Sequence, residues 1–219
     1  MYNSKDYQEK NDFYYDHARS EMLKFIPLDA TIVLDVGCAS GNFGQLIKEK
    51  INCIVWGIEP DPTVAKRALE KLDKVYTNLF DDTINFGGQK FDCIIFNDVL
   101  EHLVDPYSVL QLCKKHLTKN GVIVSSIPNF RFQYTFRKIL FQKDWMYENA
   151  GVLDKTHLRF FTSKSIIRMF QDEGYTIVEH EGINPWSPRL FRLLNFILFN
   201  FIDDMRYAQF ATVAKLNNI

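Results

Sequence analysis

The residues best placed to do chemistry lie where apolar runs end in glycine or in ionisable groups. Val33-Leu34-Asp35-Val36-Gly37-Cys38-Ala39-Ser40-Gly41-Asn42-Phe43-Gly44 reads as an apolar strand entering a small-residue turn and then a helix. Glycine suits such a turn because the backbone must bend sharply and approach a ligand closely. A second apolar run ends in Gly57-Ile58-Glu59-Pro60-Asp61. An acid at the end of a second strand accepts hydrogen bonds from a ribose diol, which makes Glu59 the candidate for that role. Asp35, inside the first strand, is costly to bury unpaired and is expected to accept hydrogen bonds from loop amides or bound water. The pattern is not a dinucleotide fingerprint. GxGxxG needs glycines two and five residues after the first, and those positions hold Ala39 and Asn42.

A third run, Phe91 to Phe96, opens into Asn97-Asp98-Val99-Leu100-Glu101-His102 before Pro106 can start a helix. His102 here and His157 beside Arg159 both fall where a crevice would form, so either can move a proton. His116 ends a helix and is expected to complete its C-terminus. His180 lies in a polar strand segment and is expected to be solvated. His17 sits near Tyr14, Tyr15 and Arg19, in a segment able to close over a ligand.

The elements that must hold these groups alternate. Strand-like runs fall at Thr31–Val36, Ile54–Ile58, Lys74–Thr77, Phe91–Phe96, Val122–Ile127, Thr176–Gly182 and Ala208–Ala214. Helical patterns fall at Phe43–Lys50, Pro62–Lys71, Pro106–His116 and Lys164–Glu173, so βαβ units and a parallel sheet are expected. Gly121 is expected to stop the third helix, Thr162-Ser163 to cap the fourth and Gly174 to close it. Residues 129–161 break the alternation. They are too aromatic for a disordered segment and are read as a lid insertion. Residues 1–29 are read as an N-terminal helical cap on a single domain of 219 residues.

Composition narrows the function. The chain is 47% hydrophobic and 24% charged, the profile of a soluble globular protein. A formal charge of −1 gives no basic excess for nucleic acid. Cys38, Cys53, Cys93 and Cys113 match no zinc spacing and are expected to be reduced, which suits the cytoplasm. No signal peptide or bilayer span is expected. The apolar stretch Leu190 to Ile202 is wider than one helical stripe needs. It can pack in a core, form a homodimer interface or lie on a membrane, and the scarcity of Lys and Arg favours the dimer.

VLDVGCASGNFG, GIEPD and FDCIIFNDVLEHLVDP together resemble the class I S-adenosylmethionine-dependent methyltransferases. Ser126-Ile127-Pro128-Asn129 and Asp154-Lys155-Thr156-His157-Leu158-Arg159-Phe160-Phe161-Thr162 are similar to a bacterial subgroup associated with surface-polysaccharide biosynthesis. The resemblance implies a Rossmann-like, mostly parallel seven-stranded α/β sheet ordered 3-2-1-4-5-7-6, with strand 7 antiparallel and helices on both faces. It implies S-adenosylmethionine as cofactor, no metal, and contacts from Asp35, Gly37, Cys38, Ala39, Ser40, Gly41, Phe43, Glu59, Pro60, Phe80, Asn97, Asp98 and Tyr15. Relatives often carry an Asp near the adenine where this chain has Leu79, so backbone amides or Asp81 are expected to serve. They also tend to have a histidine where this chain has Phe132. For a hydroxyl acceptor a base is needed; His157 is assigned that role and His102 the orienting one, with the two exchangeable. Arg131, Arg137, Lys138 and Lys143 are candidates to hold an anionic acceptor group or to form a solvated face. The expected activity is O-methylation of a sugar, nucleotide-sugar or glycan precursor. A phosphate-bearing metabolite or an amine is the alternative acceptor. Nicotinamide oxidoreduction and silent cofactor binding are the remaining readings.

Overall fold

The computed structural model describes residues 18–217. Tyr14, Tyr15, His17 and most of the expected N-terminal cap lie outside the described residues. Seven strands form one sheet: β1 (Ile32–Val36), β2 (Ile54–Ile58), β3 (Lys74–Tyr76), β4 (Phe91–Asn97), β5 (Leu117–Pro128), β6 (Tyr175–Pro185) and β7 (Tyr207–Leu216). Their order is β3-β2-β1-β4-β5-β7-β6. The first five pair in parallel, and β7 runs antiparallel to both neighbours.

The central strands are buried on both faces, so neighbouring residues feed opposite cores. Leu34, Ile94 and Phe96 pack on one side with Leu110, Ile166 and Phe170. Val33, Val55 and Ile95 pack on the other with Met22, Phe25, Phe43 and Ile47. The covering helices are α1 (Asn42–Lys50), α2 (Pro62–Leu69), α3 (Pro106–His116) and α5 (Ser163–Asp172), with α4 (Gln133–Arg137) in the insertion and α6 (Arg189–Ile197) before β7.

Local chemistry explains where the helices start. The Asp61 carboxylate accepts from the N–H groups of Thr63 and Val64, and Asp105 does the same for Tyr107 and Ser108. Each acid precedes a proline, which fills a position needing no donor. Thr162 and Ser165 exchange side-chain-to-backbone bonds as a capping box on α5. Gly174 closes that helix, its N–H on the Gln171 carbonyl at 2.9 Å.

Gly121 does not stop α3, which ends at His116 with Leu117 already extended. It lies within β5, where a Cβ would come 2.8 Å from the Phe91 carbonyl oxygen. The register between β4 and β5 shifts at the same place, between Phe91 and Cys93. Its glycine therefore answers a close backbone approach at a sheet irregularity.

Candidate functional site

A cavity of about 700 Å³ opens at the carboxyl ends of β1, β2 and β4. The turn after β1 is pinned to β2, because the N–H groups of Gly37 and Cys38 both donate to the Ile58 carbonyl, at 2.8 and 3.0 Å. Gly37 is left-handed at φ +72°, and a Cβ there would meet Val99 at 2.7 Å. Only glycine satisfies both the dihedral and the space. Ala39 is left-handed too, at φ 47°. That unfavourable conformation turns its N–H onto Glu59 Oε2 at 3.1 Å. Glu59 Oε1 accepts from the Asp61 N–H at 2.9 Å.

Two buried acids thus face one space. Burial pushes the Glu59 carboxyl up to about 7, against the lowering pull of its two amide bonds. Burial and the neighbouring Glu59 charge push Asp35 up to about 7 as well. Among the described residues no hydrogen-bond donor reaches Asp35, so the expected loop amides do not serve it. Asn97, at the end of β4, has both side-chain polar atoms buried without a partner among the described residues. A left-handed glycine wall, a strand-end acid and an unmatched amide fit a nucleoside with a diol and polar tail.

Asp35, Gly37, Cys38, Ala39, Phe43, Glu59, Pro60, Phe80, Asn97, Asp98, His102 and His157 line the cavity. Ser40 and Gly41 do not: Ser40 is fully buried behind the turn, its carbonyl on Lys71 Nζ, and Gly41 precedes α1 as its cap. Tyr15 lies outside the described residues. Asn78, Leu79 and Asp81 also line the cavity.

Arg19, from the segment expected to close over a ligand, joins the wall, and Gln209 is a wall residue that sequence reasoning misses. Arg19 pairs with Asp98, donates to Ser126 Oγ at 2.9 Å and pairs with Glu21 at 2.8 Å. Gln209 donates to Asp98 Oδ1 at 2.6 Å. These partners hold Asp98 in a left-handed conformation at φ 54°. The Asp98 carboxylate therefore ties the chain entering at Arg19 to the mouth of β4, and to β7.

His102 and His157 are brought edge to face, ring centres 4.7 Å apart. His102 Nδ1 lies 3.1 Å from the Thr156 carbonyl and His157 Nδ1 lies 3.1 Å from that of Val152. A carbonyl only accepts, so both rings carry a proton on Nδ1. His157 Nε2 lies 3.9 Å from the fully buried Glu101. One ligand atom from each of Glu101, His102 and His157 falls within 4.8 Å of the others, a donor set that a divalent cation can take. Glu101 stands inside the FNDVLEHLVDP motif, beside His102, and its neighbour was the available signal.

His116 ends α3 as expected, whereas His180 departs from expectation. His180 is not solvated: Ser163 Oγ and Thr212 Oγ1 lie 2.9 and 3.0 Å from its two nitrogens, and it stacks on Phe210 at 4.9 Å. Burial holds it down near 4. His116 also packs edge-on against Phe86 at 4.9 Å. Of the four insertion cations, Arg131 forks onto Asp204 and Lys138 pairs with Glu148, so these two do not face an acceptor.

The family description "Methyltransferase domain" matches residues 7–180. A ubiquinone biosynthesis O-methyltransferase of Cereibacter sphaeroides is 25% identical over 171 residues, covering 74% of this chain and 68% of its own. The enzyme of the same name in Histophilus somni is 34% identical over 113 residues, 46% of each chain. Among solved structures, a SAM-dependent methyltransferase from Archaeoglobus fulgidus superposes with a TM-score of 0.68 at 17% identity, over 97% of both chains. A Burkholderia thailandensis 1,6-didemethyltoxoflavin-N1-methyltransferase, holding S-adenosylhomocysteine, reaches 0.63 at 13% identity over 98% of this chain and 85% of its own. None of these four names refers to surface polysaccharides. The fold is that of S-adenosylmethionine-dependent methyltransferases, and the chain belongs to the methyltransferase-domain family.

Proposed function

We propose that this chain transfers a methyl group from S-adenosylmethionine to a hydroxyl oxygen of a small acceptor. The observation that carries the reading is Glu59: a strand-end acid, fixed by two amides, beside a turn that only glycine can make. When bound, S-adenosylmethionine supplies a methyl already activated on a positively charged sulfur. The protein's share is alignment, which supplies about 7–11 kcal/mol in well-oriented systems. Glu59 holds the ribose diol, Asn97 and the Gly37 turn receive the amino-acid end, and Phe80 and Asn78 bound the base.

His102 is assigned the proton of the acceptor hydroxyl. It is half-buried and on the cavity wall, whereas His157 is buried with one nitrogen on Val152 and the other facing Glu101. His102 Nε2 would take the acceptor hydroxyl's proton as that oxygen accepts the methyl that bound S-adenosylmethionine would supply, the cofactor leaving as the neutral thioether. His157 and Glu101 orient His102 and balance the charge it acquires. This exchanges the two roles expected from sequence. The relatives' names favour oxygen over nitrogen as the methylated atom, and an acceptor of ubiquinone biosynthesis over the sugar that the motifs suggest.

The test is turnover against a panel of catechols and sugar nucleotides, read as a 14-dalton gain on the acceptor. His102→Ala is expected to lower kcat by about a hundredfold, within the range of lost general-base catalysis, and to leave S-adenosylhomocysteine affinity unchanged. Full turnover in both His102→Ala and His157→Ala would remove the histidine base and point to an amine acceptor instead.

A further inference from the structure

The longest exposed apolar feature lies far from this chemistry, on α6 and the turn after it. Phe191 and Asn195 seat the helix, while Leu190, Phe196, Phe199 and Phe201 stand 77%, 76%, 94% and 80% exposed. Single exposed apolar residues are ordinary, but a contiguous set marks a contact surface. The display is built into the backbone. Phe199 and Asn200 are both left-handed, at φ 51° and 63°, a conformation that non-glycine residues adopt at a cost. Asn195 holds the turn: its Nδ2 donates to Asn200 Oδ1 at 3.3 Å and Asp203 Oδ1 at 3.1 Å, and its Oδ1 accepts from the Ile202 N–H at 3.3 Å. A buried amide and two strained residues are spent on pointing phenylalanines outward.

The charges on α6 itself have one sign. Arg189 and Arg192 on α6 are exposed, as are Arg137 and Lys143 on the insertion. The insertion roots against α6's base, with Phe132 and Trp186 rings 6.3 Å apart and Gln133 Nε2 donating to the Trp186 carbonyl. The nearby acids are already engaged: Asp203 with Arg206, Asp204 with Arg131 and Glu148 with Lys138. Among the described residues from 131 to 148 and 186 to 206, only Asp144 is an exposed acid.

We propose that this face docks peripherally on an anionic phospholipid bilayer, phenylalanines among the acyl chains and arginines at the headgroups. A second copy of the chain fits less well. A twofold contact would set Arg189 and Arg192 against their own kind, with no acid to answer them. Arg189 and Arg192 alone are few for a membrane-surface helix, but with the exposed Arg137 and Lys143 of the adjoining insertion an anionic lipid surface satisfies the apolar and the cationic residues together. No helix among the described residues is long and apolar enough to cross a membrane, so the contact is superficial. Docking of this kind is independent of which acceptor is methylated.

The experiment is co-sedimentation of the full chain with vesicles of phosphatidylcholine alone or mixed with phosphatidylglycerol, at low and high salt. Partitioning onto the anionic vesicles is expected to exceed that onto neutral ones by about tenfold and to fall with salt. The combined Phe196→Glu, Phe199→Glu and Phe201→Glu variant is expected to lose at least about tenfold, as is Arg189→Glu with Arg192→Glu to a lesser degree. Thermal melts check folding, and Phe199→Ser alone serves if the triple variant melts early. Equal or negligible pelleting on both vesicles overturns the proposal. So does sedimentation velocity showing a dimer that the glutamate variant splits. The readout involves no turnover, so its failure leaves the methyl-transfer reading untouched.

Discussion

Glu59 is the residue on which cofactor binding turns, and its protonation makes the claim measurable. Burial raises its carboxyl to about 7, whereas a ribose diol donates hydrogen bonds and so favours the ionised form. Binding must expel the proton below that value. Affinity for S-adenosylhomocysteine should therefore fall by about tenfold per pH unit below 7 and level off above it. Glu59→Gln should bind about tenfold to a hundredfold more weakly, because an ionised acceptor is lost, and its affinity should vary less with pH, only Asp35 still titrating there near 7. Calorimetric titration at several pH values checks both. A wild-type affinity that does not change between pH 6 and 8 removes Glu59 from the site. Glu59 is legible in the sequence because its strand ends there and a proline follows. Gln209 is not, because its strand β7 is brought beside Asp98 only by the sheet. His180 misleads for a related reason: its strand looks polar, yet the ring is covered by Phe210 on the neighbouring strand.

At the scale of elements, the central strands declare themselves as short apolar runs, α2 and α3 by an acid followed by proline, and α5 by its capping Thr162. What periodicity cannot show is how strands are clamped at their ends. Asp92, near the start of β4, accepts from the Thr31 N–H at 2.9 Å, Thr31 Oγ1 at 2.7 Å and the Ile32 N–H at 3.2 Å, and from Thr118 Oγ1 at 3.0 Å. One carboxylate thus joins the beginnings of β1, β4 and β5. Asp92→Ala should lower unfolding free energy by about 1–3 kcal/mol in urea melts, since unmatched donors remain at each strand. A change below about 0.5 kcal/mol, the size of an ordinary surface substitution, would show the clamp to be idle. Gly121 was misread because a glycine after a helix usually stops it, and only the pairing of β4 with β5 reveals the close approach. The ends of β5, β6 and β7 run beyond their apolar cores for the same reason: a ladder of backbone bonds carries them past the residues that advertise a strand.

For the whole molecule, reversal of strand order around β1 and β4 opens the crevice, and the antiparallel β7 closes the sheet beside it. Resemblance of four ordered motifs was enough to anticipate this order, because each motif sits at a strand end that the topology forces together. The pairing of His102 with His157 was legible only as two candidates, since 54 residues separate His102 from its carbonyl partner Thr156. The central claim is that the crevice takes a sulfonium nucleoside and not a pyrophosphate dinucleotide. Its most direct test is titration of the purified chain with S-adenosylhomocysteine and, separately, with NAD. One bound S-adenosylhomocysteine per chain and no heat from NAD is the predicted result; saturable NAD binding with none of S-adenosylhomocysteine would contradict it.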